Sequence, residues 1–131
     1  MNMIKKPTLE IAIIVTTITV FILYGAGARL IYNGVKQYAT EAQTIYGGDA
    51  AGALIALVED ESASFEKRNS AIWALGQLGN DRALPVLSRL DTNEIQQPPY
   101  DSTSYIIQYS VEKAIRQINR ISLTRWMYRA L

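Results

Sequence analysis

The chain has no cysteine and no histidine in its 131 residues. The first absence removes disulfides and thiolate chemistry. The second removes Ser-His-Asp triads and the commonest general base, and together they leave no zinc site of the usual ligand type. An enzyme built on this sequence would have to work with carboxylates, lysines and tyrosines alone. A strong net charge is also missing, since the formal balance is +1. That small figure hides three unlike regions: residues 1–40 carry +3, residues 41–101 carry −6 and residues 102–131 carry +4. A negative middle argues against nucleic acid, which needs a clustered basic surface.

What is present is an uncharged run, Ile11–Ala28, lying between Glu10 and Arg29. At about 1.5 Å rise per residue, and with Leu30 and Ile31 added, it crosses a hydrocarbon core roughly 30 Å thick. The expectation is a short tail over 1–7 and a transmembrane helix over 8–31, with Tyr24 and Tyr32 as interfacial aromatics at its far boundary. Within the span, Ala12, Thr16, Thr19 and Ala26 fall within about 40° of one line, a stripe of small side chains that lets another helix approach. The rival reading is a secretory signal cleaved after Ala26-Gly27-Ala28. Against it, the apolar run exceeds the roughly 7 to 15 residues of a usual signal core. Lys5 and Lys6 before the segment balance Arg29 and Lys36 after it, and the short leading tail favours the amino terminus inside and the remainder outside the cytoplasm.

Pro7 and Thr8 suit a helix start, and no breaker stronger than isolated glycines occurs before Gly47-Gly48. One long helix is predicted, its second half (32–48) an amphipathic stalk. Asp49 then caps a short helix, Ala50 to about Glu59. A second runs from about Ser64 to Leu78 and stops at Gly79, and a third covers about Arg82 to Leu90. Pro98-Pro99 interrupts the pattern within an inserted loop, 91–103. Tyr105 to about Arg120 forms a fourth helix, and Leu123–Leu131 a short amphipathic fifth within the terminal segment 121–131.

The chain also repeats itself. Ala53-Leu54-Ile55-Ala56-Leu57 matches Ala83-Leu84-Pro85-Val86-Leu87 at an offset of 30, and Ser110, Ala114, Ile115 and Ile118 match Ser70, Ala74, Leu75 and Leu78 at an offset of 40. Two helical hairpins stacked side by side follow, the extra residues falling in the inserted loop. Arg68, Ala71, Ala74-Leu75-Gly76, Leu78-Gly79-Asn80-Asp81-Arg82-Ala83, Pro85, Leu87 and Leu90 sit at fixed offsets across two helices and their turn. In that pattern the segment resembles the HEAT repeat, in the bacterial variety related to phycobilin-lyase repeats. The resemblance covers about 49–120, and in the fourth helix it weakens: Gln108 stands where Arg68 does, Val111 where Ala71 does, and Ala114-Ile115-Arg116 replaces Ala74-Leu75-Gly76. It implies an all-α chain, with a membrane helix and stalk followed by a two-hairpin α-solenoid and a C-terminal capping helix.

On a helical wheel, Ala71, Ala74, Leu75 and Leu78 form a narrow apolar seam, and Trp73 lies about 200° from Ala71 among Glu66, Asn69, Ser70 and Gln77. The fourth helix places Tyr109, Lys113, Arg116 and Gln117 opposite Val111, Ile115 and Ile118. Because the resemblance implies that second helices line a concave partner surface, Glu66, Asn69, Trp73, Gln77, Tyr109, Lys113, Arg116 and Gln117 make a candidate protein-binding face. The alternative is that Trp73 packs under the stalk. Glu59-Asp60-Glu61 reads as a solvated turn rather than a metal site. The tail, with Arg120, Arg125 and Arg129 beside Ile121, Leu123, Trp126, Met127, Tyr128 and Leu131, fits either a cap on the solenoid or a helix at a lipid surface. The expected role is a membrane-anchored scaffold or accessory subunit, in the bilayer and bound to protein partners of a membrane complex. No cofactor, nucleic acid or small-molecule substrate is implied. A lyase-like activity is the weaker alternative, because a fold does not carry its relatives' chemistry.

Overall fold

A computed structural model describes residues 6–92, 102–120 and 125–131. Among them the chain is helical and contains no strand. In order come α1 (Lys6–Tyr46), α2 (Ala50–Glu59), α3 (Phe65–Leu78), a 3₁₀ turn (Asp81–Ala83), α4 (Leu84–Leu90), α5 (Ser102–Asn119) and a second 3₁₀ turn (Arg125–Tyr128). By internal contacts the chain divides into two units, Met1–Ile31 and Tyr32–Leu131. The boundary falls inside α1.

In the first unit, the large apolar side chains Leu9, Ile11, Ile13, Ile14, Val15, Ile18, Val20, Phe21, Ile22, Leu23 and Leu30 are all exposed. The segment is long and apolar enough to cross a membrane, and none of it is buried. Its hydroxyls are satisfied within the helix, Thr16 donating to the Ala12 carbonyl at 2.8 Å and Thr19 to that of Val15 at 2.9 Å. These threonine hydroxyls, with Thr17 on the Ile13 carbonyl at 2.8 Å, need no water.

The second unit is built around α3. Local chemistry fixes the ends of that helix. The Ser64 side chain accepts from the Lys67 amide at its start, and at its end Gly79 turns left-handed at φ 62° while its N–H returns to the Leu75 carbonyl. Asn80 then accepts from the Arg82 amide to wind the first 3₁₀ turn, and Pro85 sits in the first turn of α4, where its missing N–H costs nothing. The helix expected over Arg82–Leu90 is thus a 3₁₀ turn leading into a shorter α-helix.

Packing places α3 between α2 and α5, with α4 against α5. The predicted seam is realised, because Ala71, Ala74 and Leu75 are fully buried and Leu78 nearly so. From α5, Val111, Ala114 and Ile118 are buried and Ile115 partly so. Gly76 lets α3 and α5 touch: a Cβ there would stand 2.9 Å from the Ala114 Cα and 2.6 Å from the Gln117 Oε1.

The two hairpins, α2–α3 and α4–α5, also share a tie that their sequences disguise. Arg68 Nε donates to the Val58 carbonyl at 3.0 Å, fastening α3 to the end of α2. Gln108, forty residues on, donates to the Leu90 carbonyl at 2.7 Å, fastening α5 to the end of α4. Each satisfies a carbonyl that a helix terminus leaves free. The departure from Arg68 to Gln108 therefore keeps the function of the position.

Two sequence expectations change. The segment 32–48 is not a stalk standing apart: Val35, Ala39 and Ala42 are fully buried, and Tyr32, Tyr38 and Tyr46 pack against the same core. These three small residues sit at i, i+4 and i+7, which gives a helix a narrow face for close packing. Tyr46 also donates from its hydroxyl to Asp60 at 2.5 Å, joining the end of α1 to the α2–α3 turn. The C-terminal amphipathic helix is, in its described part, a single 3₁₀ turn; Ile121 and Leu123 lie outside the described residues. The reason is tertiary. Arg125 donates to the Ile118 carbonyl at 2.8 Å and Tyr128 stacks on Tyr32 at 5.8 Å, and so few residues have little helical stability of their own. The inserted-loop residues Pro98, Pro99 and Tyr100 also lie outside the described residues.

Candidate functional site

Trp73 shows how the candidate site is built. It projects from α3 away from the seam, is half-buried, and meets Tyr38 edge to face with ring centroids 6.0 Å apart. Beneath it lies Gly34, one turn before Tyr38. A Cβ at that glycine would stand 3.3 Å from the indole, so the indole and α1 approach as closely as a glycine permits. Part of the tryptophan's apolar area is thus used within its own chain, as one of the two sequence readings anticipated. Sequence reasoning did not select Gly34 and Tyr38, although they lie one helical turn apart on one face.

The rest of the indole borders a groove of about 400 Å³. Gly34 and Tyr38 of α1, Asn69, Ser70 and Trp73 of α3, and Tyr109, Ser110, Lys113 and Gln117 of α5 line it. Five of the eight predicted face residues therefore meet there: Asn69, Trp73, Tyr109, Lys113 and Gln117. Ser70, beside Trp73 on the wheel, and Ser110, its counterpart in the repeat, were not among the predicted face residues. Glu66, Gln77 and Arg116 lie outside the lining. Glu66 and Arg116 are exposed, and Arg116 pairs with Glu112 at 2.9 Å along its own helix.

Electrostatically the groove carries one cation, Lys113, whose ammonium lies over the Tyr109 ring at 5.8 Å from the centroid. It has no carboxylate partner among the described residues. Asn69 adds an amide oxygen that is buried and makes no hydrogen bond, which leaves an acceptor free for an incoming donor. Aromatic faces, amides, hydroxyls and one ammonium therefore line the groove.

Carboxylates elsewhere are tied into the fold. Asp49 accepts from Arg82 at 2.6 Å, and that bond holds its pKa below the ordinary value. Glu59 pairs with Arg89. Asp60 accepts from Ser62 as well as from Tyr46, and the Ser62 hydroxyl, followed by the Tyr46 hydroxyl, brings its pKa down to about 2. Among the described residues no cluster of ligating side chains could hold a metal ion. The stripe residues Ala12, Thr16, Thr19 and Ala26 are all exposed on the first unit.

Comparison with known proteins gives one match. No curated protein and no solved structure matches the chain. Residues 67–91 match the family model of the PBS lyase HEAT-like repeat, so the segment running from α3 through the 3₁₀ turn and α4 is a HEAT-like repeat.

Proposed function

We propose that this protein is a membrane-anchored HEAT-like scaffold, an accessory subunit that presents the groove between α1, α3 and α5 to a protein partner in a membrane complex. The observation that carries the reading is the exposed apolar half of α1. Twelve large aliphatic and aromatic side chains from Leu9 to Leu30 are more than half exposed, and a bilayer is the environment in which that arrangement costs least. The helix Lys6–Tyr46 continues from that segment into the core of the repeat unit, which supports an anchor that holds its domain close to the lipid. The small-residue stripe Ala12, Thr16, Thr19 and Ala26 is the face on which a second membrane helix would pack.

Partner binding is assigned to the groove because its lining is rich in the residue types that dominate interface energetics, and because a repeat fold presents surface rather than chemistry. The test has two steps on the full chain. The protein should stay in membranes washed with alkaline carbonate and leave them only in detergent. A partner recovered in mild detergent should then be lost when Lys113→Glu is introduced, with the melting transition of the variant unchanged. Carbonate release would overturn the anchor, and a partner retained by Lys113→Glu would move the binding face elsewhere.

A further inference from the structure

The turn Arg125–Tyr128 has two unlike sides. On a 3₁₀ turn, side chains three apart lie nearly over one another. Arg125 and Tyr128 form one such pair and both contact the unit, Tyr128 buried and Arg125 along its surface. Arg125 bonds the Ile118 carbonyl, stands 4.0 Å from Asp81 and covers Gly79, where a Cβ would meet its Nε at 2.6 Å. Tyr128 is buried on Tyr32. Trp126 and Arg129 form the next pair. Trp126 is 67% exposed, and Arg129 is exposed with no ion-pair partner among the described residues. Capping explains the first pair and leaves the second without a task.

Tyr32 supplies the location. It follows Ile31 directly, so it is the first residue past the apolar segment of α1. Its ring stacks on that of Tyr128 at 5.8 Å, which sets the turn at the residue where the second unit begins. The headgroup layer on each side of a bilayer is roughly 5 to 8 Å thick, a depth on the scale of a tryptophan or arginine side chain. Tryptophan is enriched at this level, where its ring is half in hydrocarbon and its N–H is wet, and exposed arginines there meet anionic phosphates. Arg120, exposed at the end of α5, adds to the same positive segment, which carries +4 over residues 102–131. Asp81 stands 4.0 Å from Arg125, and no ion pair to Arg129 forms among the described residues.

We infer that the 125–131 turn is a second membrane contact, in which Trp126 and Arg129 seat on the anionic headgroup surface beside the anchor while Tyr128 holds the turn to Tyr32. The inference rests on the anchor reading above. It gives the repeat unit two attachments to the bilayer, which would fix its tilt as well as its distance.

The test uses the full chain reconstituted in phosphatidylcholine bilayers with and without phosphatidylglycerol, and with lipids brominated at shallow or deep acyl positions. The chain has two tryptophans, so the emission lost on Trp126→Phe isolates the signal of Trp126. That signal is expected to be quenched strongly by shallow bromine and little by deep bromine, with Arg129→Glu relieving the quenching in the anionic bilayer. Equal Trp126 emission in brominated and plain bilayers, from protein that resists carbonate, would overturn the second contact and leave the anchor standing. Release of the protein by carbonate would overturn both. Quenching that ignores both Arg129→Glu and phosphatidylglycerol would overturn the recognition of anionic headgroups.

Discussion

Val20 and Val35 occupy the same helix, about four turns apart, and have opposite surroundings: the first is 59% exposed, the second 0%. The contrast extends to their neighbours. Residues 9–31 are almost wholly apolar and none of them is buried, whereas 32–46 are mixed, with Lys36, Gln37, Glu41 and Gln43 among them, and bury Val35, Ala39 and Ala42 in the core. Burial in α1 therefore runs against hydrophobicity. What decides it is whether another helix of the chain is there to pack, and a narrow strip of small residues serves that better than a continuous apolar surface. The proposed anchor gives the exposed half lipid as its solvent.

The sharpest break of the comparison is a truncation. A fragment 32–131 keeps every residue of the folded unit, and one of 47–131 loses the whole buried strip of α1 together with the Tyr38 face under Trp73. Burial lost from Val35, Ala39, Ala42 and the tyrosines is on the order of 5 kcal/mol or more, comparable to the whole stability of a domain this size. Fragment 32–131 should melt cooperatively by circular dichroism, and 47–131 should show no cooperative transition. Equal melts would return 32–46 to the status of a stalk.

A matched pair of substitutions comes next. Val35→Asp places an uncompensated carboxylate in the core and should lower stability by about 4 kcal/mol or more. Val20→Asp should leave the melting of the 32–131 unit untouched, while costing about 2.5 to 3.5 kcal/mol in membrane insertion. The first is read by denaturant titration, the second by the fraction retained after carbonate washing. Leu75→Ala removes a fully buried seam side chain and should cost about 2 to 5 kcal/mol on the same titration.

The sequence showed the α3 seam because Ala71, Ala74, Leu75 and Leu78 contrast with Glu66, Asn69 and Gln77 around the wheel, and Gly79 marked the end of the helix because only a left-handed residue suits it. It did not show the role of 32–46, since alanines give a wheel little contrast and their partners lie up to eighty residues away. The groove was half legible. The 40-residue offset placed Trp73 beside Lys113 and Asn69 beside Tyr109, but Gly34 and Tyr38 matter only because α1 packs there. Gln108 was misleading in the other direction: its change of type looked like decay of the repeat, although it ties α5 to α4 as Arg68 ties α3 to α2.

The smallest expected effect concerns how α1 is tied to the hairpins. Asp60 titrates at about 2 in the folded protein against an ordinary 3.8. A folded value below the unfolded one gives stability that is present above 3.8 and lost as pH falls through about 2. The Tyr46 hydroxyl, bound to Asp60, is raised above its ordinary 10.0, so its share is present below pH 10.0 and lost as pH rises through the folded value. The melting temperature of 32–131 should therefore fall modestly between pH 4 and pH 2, and Asp60→Asn should flatten that slope. An unchanged slope in the variant would show that the bonds Asp60 accepts from Ser62 and Tyr46 contribute nothing.

The central claim is that one helix serves two solvents, its first half in lipid and its second in the protein core. It is tested most directly by the intact mass of the protein purified from carbonate-washed membranes. The account predicts the mass of a chain that still contains residues 8–31. A chain beginning near Arg29, recovered from the soluble fraction with the 32–131 unit folded, would contradict it and make the apolar half a signal that the mature protein discards.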